Sequence, residues 1–328
     1  MLRVGILGAG GIAERAMVEP SHDVAGIEVV AIGARDPQRA ADFAERLNLS
    51  KSGDYESVIS DPDIDLIYLA LPPIMHAEIA ERVLKAGKHV LCEKPLSSNE
   101  KGAQLIADAA AANGRRAFVG FHYRLHGFTK RLLEVLTSGL LGDIQSVAID
   151  FSIPHFVVKP GNIRLDGDLA GGSVMDVGCY AVDLVRAAWG EPKVISSTAQ
   201  LYPDDARIDL QTDAVLELNG GIPVNLRTSF IGDDKGSMSL KVVGSTATLD
   251  ATSVIVPQWG ATLKVVGIDG NLLIDEVAQE GENSYVRQLE HLVSVLNSGD
   301  ESILDSNRAV GTMKIVDEIY LAAGLETR

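Results

Sequence analysis

Basic residues are scarce in this 328-residue chain. Lysine and arginine number 29 against 45 aspartates and glutamates, a formal net charge of −16. A surface of that sign repels nucleic acid and anionic membranes alike, so neither is expected as a partner. Cysteine is scarcer still, with only Cys92 and Cys179. A pair is too few for a disulfide framework; it reads either as reduced thiols lining a cleft or as small buried hydrophobes. No apolar run approaches the roughly 18 residues needed to span a bilayer. The apolar opening is broken by Gly5, Gly8, Gly10 and Gly11, so it reads as strand and turn and not as a leader, and a cytoplasmic protein is expected. No His/Cys/Asp cluster has metal-ligand spacing, so no metal is expected. No Gly-x-Ser-x-Gly nucleophile elbow appears, and there is neither a low-complexity linker nor an internal repeat.

What is present is ordinary globular composition, 46% hydrophobic and 23% charged, at a length that predicts two domains. Residues 2–7 (LRVGIL) read as a strand, followed by GAGGIAE. Gly8, Gly10 and Ala13 fit the Gly-x-Gly-x-x-Ala form of the dinucleotide fingerprint. Gly8 permits the tight turn, Gly10 the approach of a pyrophosphate, and Ala13 the packing of helix on strand. Gly11 and Ile12 then open a helix whose first N–H groups face the phosphates.

The second strand, IEVVAIGARD, bears on which nucleotide binds. An acid about 20 residues past the fingerprint suits the ribose hydroxyl of NAD, and an arginine suits the 2′-phosphate of NADP. Ala34 stands at the strand end, Arg35 follows, and Asp36-Pro37 read as the N-cap and first residue of a helix. Arg35, with Arg39 one turn on, is left to meet a phosphate. NADP is the expected cofactor, with NAD possible. Residues 64–71 form a further strand, ended by Pro72-Pro73, after which His76 opens a helix. In AGKHVLCEKPLSS, residues 86–98, Gly87 ends that helix, His89–Cys92 form a short buried strand, and Glu93-Lys94-Pro95 stand at its carboxyl end. That edge of an open α/β sheet is where ligands bind, and Pro95 restrains Lys94. Ser97–Glu100 fit a capping box. Residues 117–121 are the last strand of this half, and the boundary is placed at His122.

After the boundary the pattern changes to hairpins, with strong turns at Asn219-Gly220-Gly221 and Asp269-Gly270. An α/β doubly wound domain over 1–122 is therefore expected, then an α+β domain over 123–328 with a large, mainly antiparallel sheet. Its strands alternate apolar residues on more than one face, which predicts an exposed apolar face and hence self-association. Gly171-Gly172-Ser173 precede the helical stretch VMDVGCYAVDLVRAAWG. There Val174, Val177, Ala181, Leu184 and Ala188 make a core stripe, while Asp176 and Tyr180, four residues apart, share another face.

The amino-terminal fingerprint, Glu93-Lys94-Pro95 and GGSVMDVGCY, in that order and spacing, resemble the Gfo/Idh/MocA oxidoreductases. The resemblance covers nearly the whole chain. Its carboxy-terminal sheet implies an open face that joins subunits, hence a homodimer or homotetramer. Most of the family pairs Asp with His where this chain has Asp176 and Tyr180. Tyrosine there resembles the subgroup of dimeric dihydrodiol dehydrogenase, glucose–fructose oxidoreductase and NADP-linked xylose dehydrogenase. The resemblance implies Lys94 and Tyr180 as the catalytic pair and Asp176 and His122 as substrate contacts. His155 and Arg164, in the irregular stretch PHFVVKPGNIRLDGD that could roof the cleft, are further substrate-contact candidates. Leu71, His76, Glu93, Lys94 and Arg124 are implied as cofactor contacts. A tyrosine and a lysine have ordinary pKa values of about 10 and 10.4, each too high for a base near neutrality, and together they can tune one another. The implied reaction is hydride transfer between NADP and a carbinol or carbonyl carbon of a small polyhydroxylated substrate. A sugar is the leading substrate, in an aldose 1-dehydrogenase or keto-sugar reductase. A trans-dihydrodiol dehydrogenase and a non-catalytic nucleotide-binding regulator are the alternatives.

Overall fold

Strands β1 (Leu2–Leu7), β2 (Ile27–Gly33), β3 (Lys51–Gly53), β4 (Leu66–Leu69), β5 (His89–Cys92) and β6 (Ala117–Val119) form a six-stranded sheet. Every pair is parallel, in the order β3-β2-β1-β4-β5-β6. Near-continuous apolar runs such as Leu66-Ile67-Tyr68-Leu69 are fully buried, as a sheet covered on both faces requires. The strand order reverses between β1 and β4, so the carboxyl ends of these strands open a crevice. The structure is a computed structural model that describes residues 1–328.

Local chemistry sets the helix ends around this sheet. Asp36 caps the helix Pro37–Leu47 by accepting from Gln38 N at 3.0 Å, as its position before Pro37 predicts. The helix after β4 runs Pro73–Lys85, so His76 lies inside it and not at its opening. Proline without an N–H is at home in that first turn. The capping-box expectation also fails. Asn99 caps the helix Glu100–Ala112 through Gly102 N at 2.8 Å. Ser97 is instead buried against Gly102, where a β-carbon would lie 2.1 Å from its hydroxyl.

By internal contacts the chain forms two units, Met1–His122 with Tyr285–Val310 and Tyr123–Ser284 with Gly311–Arg328. The segment Tyr285–Val310 thus returns to the parallel-sheet unit, although the hairpin pattern had put all of 123–328 in one domain. Its anchor is ionic. Arg116 forks onto Asp305 at 2.8 and 2.9 Å and reaches the carbonyl of Val295 at 3.1 Å.

The second unit carries β7 (Ile144–Pro154), β8 (Lys193–Tyr202), β9 (Asp205–Leu218), β10 (Ile222–Gly232), β11 (Ser237–Gly244), β12 (Ala247–Thr252), β13 (Thr262–Gly267) and β14 (Leu272–Val277). Their order is β14-β13-β12-β11-β7-β10-β9-β8, antiparallel except for the parallel pair β7–β10. The two predicted hairpin turns join β9 to β10 and β13 to β14. One face buries Val147, Ile149, Phe151, Leu216, Leu226 and Val242. The other face is not the apolar patch expected. Its accessible positions carry charge in register, with Arg227 Nε on Asp213 at 2.7 Å and Lys241 on Asp250 at 3.6 Å. The alternation was real, but one of its faces is polar. No helix is long and apolar enough to cross a membrane.

A π-turn, Val174–Gly178, runs into the helix Cys179–Trp189. It packs on β7, β9 and β10, with Gly178 admitting Thr228, whose methyl would lie 3.2 Å from an added β-carbon. Of the predicted stripe, Val174, Val177, Ala181 and Leu184 are buried and Ala188 half-buried. Met175, Val182 and Val185 are buried too, so the helix is enclosed and not merely amphipathic.

Candidate active site

In the first unit the fingerprint glycines do different work. Gly8 has φ +111°, and a β-carbon there would lie 2.3 Å from the carbonyl oxygen of Ala70, so only glycine fits. Gly10 and Gly11 face open space, with nothing within 4 Å of an added β-carbon. That room, beside the helical segment opened by Gly11 and the half-buried Ile12, suits a pyrophosphate. Ala13 is fully buried against the sheet. Arg35 is exposed past the buried Ala34, and Arg39 donates to the carbonyl of Ala9 at 2.8 Å. Burial pushes the Tyr55 hydroxyl up, opposed by the charges of Arg35 and Arg39, so both guanidinium groups act on one locality beside the glycine turn.

The loop after β5 is held by its backbone. The Lys94–Pro95 peptide is cis, and Lys94 is half-buried. His76, expected against the nicotinamide or in solvent, is fully buried and faces main-chain carbonyls through both ring nitrogens. Nε2 is 2.9 Å from Leu71 O, and Nδ1 is 3.1 Å from Pro95 O and 3.3 Å from Leu96 O. Burial lowers its pKa against the pull of those carbonyls. The ring therefore ties the loop after β4 to the loop after β5. Glu93 is buried, accepting from the Tyr68 hydroxyl and, at 3.3 Å, from Lys94 N. Burial raises its pKa, opposed by that phenol and by Lys94. His122, also buried, stacks on Tyr285 with ring centroids 4.1 Å apart. Burial, then the charge of Glu93, raises the Tyr285 hydroxyl. Sequence reasoning missed Tyr285. Its only signal was an aromatic residue in the first turn of the helix Ser284–Ser298.

In the second unit the chemistry gathers on the helix after Gly172. Arg164, in a short 3-10 turn at Ile163–Leu165, donates through Nε to Asp176 Oδ2 at 2.6 Å. Gly171 makes this possible, because a β-carbon there would lie 2.4 Å from the Arg164 carbonyl, which accepts from Gly172 N at 3.0 Å. The charge of Asp176, and to a lesser degree that of Tyr180, raises the Arg164 pKa against burial. Asp176, Arg164 and Tyr180 are thus one electrostatic group. Tyr180 is 5% exposed and packs edge-on to Tyr123 at 5.6 Å.

Other expected contacts have other uses. Arg124 donates to Asp183 Oδ2 at 3.1 Å, beside the Tyr123 hydroxyl at 2.6 Å. Burial disfavours the Arg124 charge, and Asp183 and Tyr123 outweigh it, so this guanidinium is held charged against the helix. His155 is exposed and faces Asp234 at 3.5 Å, in the manner of a surface pair. Cys92 and Cys179 are fully buried. Burial pushes the Cys92 thiol up. The reading as small hydrophobes holds, and that as a cleft-lining pair does not.

A glycine turn at the switch point of a parallel sheet defines a dinucleotide-binding fold. Comparison with known proteins gives the family. A profile described as the oxidoreductase family, NAD-binding Rossmann fold, matches residues 2–121, and the GFO/IDH/MocA C-terminal domain profile matches residues 129–250. The chain belongs to the Gfo/Idh/MocA oxidoreductases. It is 32% identical to D-xylose 1-dehydrogenase (NADP(+)) 2 of Haloferax volcanii over 97% of this chain and 96% of that protein. Trans-1,2-dihydrobenzene-1,2-diol dehydrogenase of Xenopus laevis is 33% identical over 59% of this chain and 58% of its own length. Among solved structures, the 3-ketoreductase of Actinomadura kijaniata in complex with NADP and TDP-benzene superposes with a TM-score of 0.88. It is 25% identical and covers 98% of this chain and 97% of its own.

Proposed function

We propose that this enzyme transfers a hydride between NADP and a carbinol or carbonyl carbon of a sugar. The observation that carries the reading is the Asp176–Arg164–Tyr180 group, a phenol and a carboxylate on one helix in the field of one guanidinium. NADP is supported by Arg35 and Arg39 beside the glycine turn, where the strand end carries Ala34 in place of an acid. It is supported too by the cofactor named for the xylose dehydrogenase and bound in the 3-ketoreductase.

The bound nicotinamide supplies the hydride chemistry. Tyr180 takes the substrate hydroxyl proton in oxidation and returns it in reduction. A phenol with an ordinary pKa of about 10 is a weak base at neutrality. Arg164, whose guanidinium is coupled to Tyr180, supplies positive charge to this acid–base group. Lys94, paired with Tyr180 by the family resemblance, is the other catalytic residue of the proposal. Asp176, held by Arg164, accepts from a neighbouring substrate hydroxyl and so orients the reacting carbon. His122 remains a candidate substrate contact, and Leu71 and Glu93 candidate cofactor contacts.

The test is turnover on aldoses, keto-sugars and dihydrodiols, followed by nicotinamide absorbance. Oxidation of aldoses is the expected result, given the xylose dehydrogenase likeness. Reduction of keto-sugars alone would move the assignment to the ketoreductases. Activity on dihydrodiols alone would move it out of sugar chemistry. NADP binding without turnover on any of them would make the protein a nucleotide-binding regulator. A cytoplasmic homodimer or homotetramer completes the proposal. Its sheet face would meet its copy through in-register charge, and sedimentation as a monomer at micromolar concentration would refute it.

A further inference from the structure

The helix that carries Asp176 and Tyr180 begins on a buried carboxylate. Asp209, on β9, has a side chain with no solvent exposure. Its Oδ2 accepts from the Ser173 hydroxyl at 2.7 Å, from Val174 N at 2.9 Å and from the Thr212 hydroxyl at 3.0 Å. Its Oδ1 accepts from the Tyr320 hydroxyl at 2.9 Å and from Arg328 Nη2 at 3.4 Å. Arg328, 6% exposed, lies over the Tyr320 ring at 4.3 Å, which fixes the guanidinium as well as its charge. Burial, then Asp209, raises the Tyr320 hydroxyl, so it stays a donor.

The helix start is shaped to admit this carboxylate. Gly172 has φ +128°, and a β-carbon there would lie 2.2 Å from Asp209 Oδ1 and 2.8 Å from the Tyr320 oxygen. Ser173 completes the seat by also meeting the Thr228 hydroxyl on β10 at 2.7 Å. A negative charge at a helix N-terminus is favoured by the unpaired N–H groups there. Buried, with both oxygens filled, it also leaves one seat for the first turn.

From this geometry we infer that Asp209, locked by Tyr320 and Arg328, is the positioning residue of the catalytic helix, setting where Tyr180 and Asp176 stand. The inference rests on the role proposed above for Tyr180. Asp209 touches no reacting atom. It acts through the helix start, Asp176 lying in the first turn and Tyr180 in the second.

The test is a cycle of Asp209→Asn and Tyr180→Phe in the full chain, reading kcat, KM for the sugar that the parent turns over, the NADP dissociation constant and the melting temperature. Asparagine keeps one oxygen for Ser173 and Val174 but presents an amide to Tyr320 and Arg328. Misplacement of the helix on the order of 1 Å justifies a roughly 10- to 100-fold loss of kcat, with NADP binding unchanged. In the Tyr180→Phe background the same change should cost less than about twofold, since residues acting through one another are non-additive. Parental kcat in Asp209→Asn beside a disabled Tyr180→Phe overturns this inference alone. So does an equal fold-loss in both backgrounds, which marks the cluster as a support for the fold only. Parental turnover in Tyr180→Phe overturns the proposed mechanism and this inference with it. Should Asp209→Asn not fold, Arg328→Met and Tyr320→Phe carry the same cycle, each with a smaller loss of kcat.

Discussion

The loop after β5 and the helix after Gly172 each present a reactive side chain, and they hold it by opposite means. Around Lys94 the fixing groups are backbone: a proline, the carbonyls of Leu71, Pro95 and Leu96 on His76, and Lys94 N on Glu93. Around Tyr180 they are ion pairs: Asp176 with Arg164, Asp183 with Arg124, and Asp209 with Arg328. A backbone cradle is specified locally and leaves the face towards a cofactor smooth. An ionic scaffold is specified by residues far apart, and it places charge beside the group that must move a proton.

The comparison is tested most severely by asking whether the two regions act as one. Lys94→Ala and Tyr180→Phe should each lower turnover by roughly 10²–10⁴-fold, the range for loss of a general acid–base. The double variant should be little worse than either. NADP affinity should survive Tyr180→Phe. Steady-state rates with a nucleotide titration check this, and additive losses would separate the regions. A Tyr180→Phe enzyme with near-parental turnover would leave Lys94 as the sole acid–base group.

Glycines sharpen the contrast next, because the same residue type serves the ligand in one region and the fold in the other. Gly172→Ala forces a β-carbon to within 2.2 Å of Asp209 at φ +128°. It should destabilise by about 2–4 kcal/mol through strain and overpacking. Gly10→Ala meets nothing within 4 Å and keeps an allowed φ of −108°. It should change stability by less than about 0.5 kcal/mol while weakening NADP binding. Denaturant midpoints and nucleotide titrations on both variants decide this.

How much was legible follows the same division. Gly8, Gly10, Ala13 and Lys94 announce themselves because turn and strand-end chemistry is written within a few residues, and so are the hairpin turns at Gly220 and Gly270. Spacing put Tyr180 and Asp176 on one helix face, and the family resemblance supplied their roles. Arg164 was found only as a candidate, and Asp209 not at all. Asp209 lies 36 residues from Ser173 and 111 from Tyr320, and hydrophobic periodicity is silent on which buried polar side chains meet. On Arg124 and His76 the sequence is silent for a related reason: a polar residue near a ligand edge looks the same in sequence whether it meets ligand, carboxylate or carbonyl.

Arg35 tests the cofactor half in isolation. Arg35→Ala should cost NADP about 1.5–3 kcal/mol, the worth of a charge-assisted bond to phosphate. NAD binding should stay nearly unchanged. Equal dissociation constants for the two nucleotides in the unmodified protein would refute the preference.

The smallest effect is also the one that separates the two regions by pH. Glu93 is the buried carboxylate of the backbone-built region, with a phenol and a main-chain N–H as partners, whereas Asp176, Asp183 and Asp209 each meet an arginine. Burial raises its folded pKa above the unfolded value, and the Tyr68 hydroxyl and the Lys94 charge only partly offset that. Below the unfolded pKa of about 4.3 the folded and unfolded chains hold the proton alike. As pH rises through that value the unfolded chain releases it first, so the stability contribution is lost until the folded pKa is passed. Glu93→Gln keeps an oxygen for Tyr68 and removes this titration. Its stability relative to the parent should therefore improve over the range that starts at about pH 4 and level off above the folded pKa. Urea midpoints for both proteins across that range measure it. A difference that does not change with pH, or that favours the parent as pH rises, would mean that Glu93 is ionised at little cost, and the backbone-built region would then hold its charge as well as the arginine-built one does.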